Sequence, residues 1–366
     1  MDRATPVRPA RRRLRLAGRI AGGALLLIVL AAAALLIYLS AHEYRPDAEE
    51  PAWTAGQAQD AVPRGGSVSL LTFNIGYAAL GEESDFFMDG GASVRPSDPA
   101  VVEKNLAGIV ETVEAVAPDI AMLQEVDVSG KRSYDIDERA ALHASFGGAA
   151  AFAPNFLCDY VPYPIPDTIG PVHSGLLTLS RFRMEGQTRV ALPVPFAWPV
   201  RMANLKRCLL VTRLPVEGTE AELVLVNLHL EAYDGGEGKR AQTERLTELL
   251  VSEYEAGNYV VAGGDFNQRI EGVGEAYPVV DASYWQPGEL ARGILPEGWT
   301  FAFADGRPTC RLLNEPYDAD DPLTQYYVID GFLCSPNVTV DSVEVIDGGG
   351  FRYADHNPVL LRFTLG

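Results

Sequence analysis

Six positions or pairs whose side chains can bind a metal, move a proton or hold an anion stand at the ends of apolar runs in this chain. They are Asn74, Glu125, His229, Asp265 with Asn267, Asp330, and Asp355 with His356. The most compact is Val260-Val-Ala-Gly-Gly-Asp-Phe-Asn267, where an apolar strand meets two glycines and then offers a carboxylate and a carboxamide two residues apart. On extended backbone, residues i and i+2 face the same side, so Asp265 and Asn267 can address one ligand while Phe266 packs behind them. Gly263 and Gly264 allow a sharp turn or a close approach to a substrate. Each group alone has an ordinary alternative: a turn former at Asn74, a solvated strand end at Glu125, a helix cap or surface pair at Asp355-His356. Six strand ends that all close on such groups point to one shared site, because strand ends in layered α/β proteins commonly converge.

The elements that must position these groups can be read from periodicity. Ser67 to Asn74 alternates and is β-rich, and Asp98-Pro99 caps a helix whose apolar positions Leu106, Ile109, Val110, Val113 and Val116 keep a helical period. Pro118-Asp119 breaks that helix, and Ile120 to Glu125 is a second strand, giving the strand-helix-strand order of an α/β fold. Residues 175–180 form a third strand, residues 208–212 and 221–229 a hairpin, residues 240–254 an amphipathic helix, and residues 326–333 and 357–365 the last strands. No repeat of fixed period is visible.

In order along the chain, the motifs are Thr72-Phe-Asn74, Leu123-Gln-Glu125, Asn227-Leu-His229, Gly264-Asp-Phe-Asn267, Ile329-Asp330 and Ala354-Asp355-His356. This ordered set closely resembles the endonuclease/exonuclease/phosphatase superfamily, and it spans residues 67–366. The resemblance implies an α/β fold, a four-layer sandwich of two facing β-sheets flanked by helices, with the site at one edge. It implies Mg²⁺ as cofactor, with Mn²⁺ as a substitute, and ligands drawn from Asn74, Glu125, Asp265 and Asp355. It assigns catalysis to His229, Asp265, Asn267, Asp330, Asp355 and His356. Asp265 would deprotonate the attacking water, Asn267 would donate to developing charge, and the two histidines would hold phosphoryl oxygens. Asp355 would orient His356 and keep it protonated, while Asp330 would meet a second metal or a histidine. His173, Tyr134, Lys206 and Arg207 are weighed as substrate contacts against ordinary roles, and His143 is read as structural.

The chain begins differently. Ile20 to Leu39 is a charge-free run long enough to cross about 30 Å of hydrocarbon. It is preceded by seven arginines (Arg3, Arg8, Arg11, Arg12, Arg13, Arg15, Arg19) and one acid, Asp2. That flank should stay cytoplasmic, which places the rest of the chain outside. The organisation expected is a basic cytoplasmic tail over 1–19, a transmembrane signal anchor over 20–39, a linker over 40–64 and a catalytic domain over 65–366. A cleavable signal peptide is the rival, with Leu39-Ser40-Ala41 as a weak cleavage site.

Setting aside the first nineteen residues leaves 23 of the 30 basic and 48 of the 49 acidic residues, a net charge of −25. Binding to long polyanions relies on Lys and Arg neutralising phosphates, so nucleic acid is disfavoured as a partner. The expected partners are a phosphoester substrate and the membrane, with no obligate protein partner evident. The four cysteines, Cys158, Cys208, Cys310 and Cys334, contain no C-x-x-C pair and leave two disulfides or free thiols open. The apolar stretch Leu192 to Met202, with Phe196 and Trp198, suits either a sandwich edge or a membrane or acyl surface. The reading is therefore a membrane-tethered, metal-dependent phosphoesterase acting on lipid or small-molecule phosphoesters. A surface nuclease and an inactive binding module on the same scaffold are the alternatives.

Overall fold

The computed structural model describes residues 9–366, with side chains from residue 13 onward. Much of the basic tail, including Arg3 and Arg8, therefore lies outside the described residues. Two seven-stranded sheets face one another. The first runs, in spatial order, Val338–Val345, Val359–Leu365, Ser67–Asn74, Ile120–Gly130, Gly170–Ser180, Ala149–Val161 and Trp53–Gly56. The second runs Glu49–Pro51, Glu185–Ala191, Cys208–Pro215, Glu222–His229, Tyr259–Asp265, Asp330–Cys334 and Thr300–Ala302.

Strand alternation sorts the side chains into layers. From Ser67–Asn74, Val68 and Leu70 point between the sheets, where they meet Leu223, Leu225, Val261 and Phe332 of the second sheet. Leu71 and Phe73, on the opposite face, pack under Leu106, Ile109 and Val113 of the helix Pro99–Val116 and Leu142 of the helix Glu138–Phe146. On the far side, Val224, Val226, Val260 and Ala262 pack against Leu246 and Leu250 of the helix Glu237–Glu255. Both faces of the central strands are thus buried, and helix, sheet, sheet and helix form four layers. The helix Pro99–Val116 starts as its sequence demands, with the Asp98 carboxylate accepting from Ala100 N at 2.9 Å.

A polar seam crosses the apolar interior. Gln124 Nε2 donates to Asn227 Oδ1 at 2.8 Å and to Thr72 Oγ1 at 3.1 Å. Asn227 Nδ2 in turn donates to the carbonyls of Leu123 and Leu177 at 3.2 and 3.1 Å. Two of the motif residues therefore fasten one sheet to the other directly behind the strand ends.

Two parts of the chain differ from the expectation. Residues 40–64, read from composition as a linker, are woven into both sheets: Glu49–Pro51 pairs with Glu185–Ala191, and Trp53–Gly56 with Ala149–Val161. The expected strand 326–333 is broken, with Tyr326–Tyr327 pairing to Cys310–Arg311 and Asp330–Cys334 joining the second sheet. The four cysteines are buried free thiols. The helix Pro9–Ala41 holds one segment, Arg13–Ala41, that is long and apolar enough to cross a membrane.

Candidate active site

The strands deliver the candidate groups to one end of the sandwich. Asp265 ends its strand opposite Asp330 on one side and His229 on the other. Gly264 makes this possible: its φ is +149°, and a Cβ there would lie 1.9 Å from the Leu228 carbonyl oxygen. The close approach is thus to a neighbouring strand, not to a substrate. Across the sandwich, Asn74 ends its strand beside Gln124. The ladder between Ile120–Gly130 and Gly170–Ser180 skips between Leu123 and Val126, and Glu125 takes a left-handed φ of 54° in that irregularity. A bulge of this kind re-aims a side chain, and here it turns Glu125 toward the site.

Asp265 sits at the centre. Its Oδ2 accepts from Asn74 Nδ2 at 3.1 Å and its Oδ1 from Asn267 N at 2.8 Å. His229 Nε2 and His356 Nε2 approach Oδ2 to 3.5 and 3.8 Å from either side. Burial, reinforced by the Asp330 carboxylate, pushes Asp265 up to about 7. The two histidines are in opposite states. Burial, with Arg207 and His356 adding to it, holds His229 well below the usual range and therefore neutral. Burial acts the same way on His356, but the Asp330 carboxylate outweighs it and holds the imidazole well above that range.

Asp330, not Asp355, supports His356. Its Oδ2 lies 2.9 Å from His356 Nδ1, whereas the nearest Asp355 oxygen is 4.0 Å from Nε2. The brace expected of Asp355 thus falls to Asp330, because the bend at Asp355 leaves its carboxylate beyond hydrogen-bond distance of the ring. Asn267 also differs from expectation: its Nδ2 donates to the Leu230 carbonyl at 2.9 Å and faces Asp265 Oδ2 at 3.4 Å, so its donors are committed within the protein.

The carboxylates suit a hard cation. Asp355 Oδ1 is buried without a hydrogen-bond partner, and burial pushes its carboxyl up to about 7, with the Glu125 carboxylate adding to the rise. Asn74 Nδ2 bridges Glu125 Oε1 and Asp265 Oδ2, both at 3.1 Å. Glu125 and Asp355 line the same cavity, of about 620 Å³, together with His229, Asp265, Asn267 and His356. Paired carboxylates with an unused buried oxygen are a donor set for an oxygen-seeking dication. Asp265 stands in a second such cluster, with Asp330 and His356, whose ligand atoms lie within 4.8 Å of one another.

Three residues of the cavity went unrecognised in the sequence. Arg132 stacks 3.7 Å above the Tyr77 ring and pairs with Asp127 at 2.8 Å. Arg311 lines the cavity with its Nε buried and without a partner. Cys310 lies beside His356 and Asp355, its thiol pushed up to about 12 by burial. Arg207 does reach the cavity, pairing with Glu231 at 3.2 Å and donating to the His229 carbonyl at 3.1 Å. His173 stacks edge-on to Phe152 at 5.8 Å, Tyr134 donates to the Pro96 carbonyl, and neither lines the cavity. His143 sits in a helix near the Gly148 carbonyl, a structural place.

The fold agrees with what the chain is similar to. The chain belongs to the endonuclease/exonuclease/phosphatase family, whose model matches residues 71–356. That family is one of hydrolases acting on phosphoester bonds. Among solved structures, the chain is similar to the endonuclease/exonuclease/phosphatase from Beutenbergia cavernae DSM 12333. Identity is 20% over 82% of this chain and 72% of that one, with a TM-score of 0.55. It is similar to the corresponding protein from Bacteroides vulgatus at 16% identity, covering 82% and 100% of the two chains, with a TM-score of 0.52. A family protein from Bacteroides thetaiotaomicron stands at 15%, 82% and 98%, with a TM-score of 0.51. At such identities the likeness is one of fold. No curated protein matches the chain.

Proposed function

We propose that this chain is a membrane-tethered, divalent-metal-dependent phosphoesterase with its catalytic domain outside the cytoplasm. The observation that carries the reading is the enclosure of Asp265 Oδ2 between a neutral and a cationic histidine, at 3.5 and 3.8 Å. A carboxyl raised to about 7 is matched to taking a proton from water at neutral pH. The nucleophile is then a water held at Asp265. His356, cationic and braced by Asp330, faces the phosphoryl oxygens and stabilises the charge that grows on them. Glu125 and Asp355, with Asn74 beside them, would hold the cation, Mg²⁺ being the expected ion and Mn²⁺ its substitute. Such a cation supplies Lewis-acid neutralisation of the phosphoester.

The apolar segment Arg13–Ala41 supports the tether, and the arginine flank supports an N-terminus in the cytoplasm. A reporter active only in the cytoplasm, fused after Gly366, should be silent, and an active one would reverse the orientation. The function is tested by hydrolysis of bis(p-nitrophenyl) phosphate and p-nitrophenyl phosphate, with and without chelator, in the wild type and in Asp265→Asn. Turnover should need the added cation and should fall more than about 10²-fold in the variant, the size expected for a lost positioned base. Wild-type rates in chelator, or in Asp265→Asn, would overturn the reading.

A further inference from the structure

The membrane-spanning segment and the catalytic cavity share a wall. Leu35, Leu36 and Leu39, from the last turns of the helix, line the same cavity as Asp265 and His356, together with Phe87, Phe196 and Val200. Among the described residues of that helix, only Leu35, Leu36, Leu39 and Ser40 are covered, and they fall on one helical face. The contact is fastened by polar groups. Ser40 Oγ meets Met202 Sδ at 3.0 Å, and His42 Nδ1 meets an Asp159 oxygen at 2.9 Å. Glu43, just beyond the helix, pairs with Arg201 at 3.2 Å and Lys206 at 3.5 Å.

Depth follows from helix geometry. At about 1.5 Å per residue, Leu35 lies roughly 9 Å below Ala41 along the axis, so the cavity wall descends from the headgroup layer into hydrocarbon. Apolar side chains open to solvent in the isolated chain stand at the cavity mouth: Tyr163, 61% exposed, and Val200, 57%, line the cavity, and Trp198, 56%, donates to Ser40 Oγ at 3.4 Å. Such a rim beside a spanning helix belongs in the interfacial layer, where aromatic side chains gather. The cavity is therefore polar at its floor, apolar along one wall, and that wall is continuous with the bilayer.

We infer that the site draws its substrate sideways from the bilayer that holds the anchor: a lipid phosphoester, its phosphate against His356, where Glu125 and Asp355 would hold the cation, and its chain along Leu35, Leu36 and Phe196. This rests on the phosphoesterase reading. In the reaction the oxygen of water forms the new bond to phosphorus and the ester P–O bond breaks. The water proton passes by way of Asp265 to the departing oxygen.

The test uses the full chain reconstituted in phosphatidylcholine vesicles that carry phosphatidylglycerol, a diester, or phosphatidic acid, a monoester. The soluble nitrophenyl esters serve as the second substrate. Lipid in the enzyme's own vesicle should be hydrolysed more than about tenfold faster than the same lipid in separate vesicles, because tethering raises its effective concentration. Leu36→Glu and Phe196→Glu should each lower the ratio of lipid to soluble-ester turnover by more than about tenfold, since a charge would then line the chain's path. Soluble-ester turnover reports that each variant is folded. Hydrolysis of soluble ester but of neither vesicle lipid would overturn this inference and leave the phosphoesterase standing, as would an unchanged ratio in both variants. Hydrolysis of neither substrate class would overturn both.

Discussion

Asp330 Oδ2 lies 2.9 Å from His356 Nδ1, with both side chains buried. The pair ties the first residue of the strand Asp330–Cys334 to the segment leading into Val359–Leu365, and it fixes both the ring orientation and the charge of the imidazole. The other ring nitrogen is left facing Asp265 at 3.8 Å.

Removing that carboxylate has a direction that can be worked out. In Asp330→Asn, His356 loses the influence that holds it well above the usual range, and burial then lowers it. The cationic ring is present below its own value, so the alkaline limb of the rate profile should move to lower pH. Asp355→Asn should leave that limb in place. Rate profiles of the three proteins at saturating Mg²⁺ measure this, and an unmoved limb in Asp330→Asn would refute the pairing.

Glu125→Gln keeps the shape of the side chain and removes its charge. The apparent Mg²⁺ requirement should rise by more than about tenfold, the size of effect seen when a metal site loses a supporting group. Melting temperature without metal should stay near that of the parent. Titration of activity against Mg²⁺, paired with a thermal melt, decides it.

The seam between the sheets predicts a stability effect with no catalytic origin. Asn227→Ala removes the shortest acceptor of Gln124 Nε2 and takes the side-chain donor from the buried carbonyls of Leu123 and Leu177. Leaving buried groups unpaired costs about 1–3 kcal/mol each, so the denaturant midpoint should drop clearly. An unchanged midpoint would show the seam to be energetically neutral.

Glu138 gives a stability effect that depends on pH. It is fully buried, its Oε2 accepts from Asp127 N at 2.8 Å and its Oε1 has no partner. Burial, with the Asp127 carboxylate next, pushes it well above its ordinary 4.5. The folded chain thus holds a proton that the unfolded chain releases near 4.5, so this group's contribution to stability falls as pH rises from there toward the folded value. Glu138→Gln should flatten that fall. Melts of both proteins between acidic and neutral pH, with parallel slopes, would argue against it.

Much of the site was legible in the sequence because its groups close apolar strands, a pattern set by where strands stop. What escaped has a physical reason in each case. Asp330 reads in the sequence as meeting either a second metal or a histidine, and the brace on His356 goes on that reading to the adjacent Asp355, whose nearest oxygen stops 4.0 Å from the ring while Asp330 reaches it at 2.9 Å across the fold. Arg132 looks like a surface residue until Tyr77 and Asp127 are placed beside it. Ala149–Val161 is alanine-rich, carries Pro154 and is buried on both faces, so no alternation marks it as a strand. The strands Glu49–Pro51 and Trp53–Gly56 are only three and four residues long and owe their form to the edges they join.

Those two short strands have a mechanical consequence. Each closes an edge of a different sheet within fifteen residues of the helix end at Ala41, so the proposed anchor would leave almost no leash between a bilayer and the sandwich. An enzyme on a long flexible stalk sweeps a volume and can reach another cell or a passing solute. One joined this tightly holds a fixed attitude, travels with its patch of membrane and explores a surface.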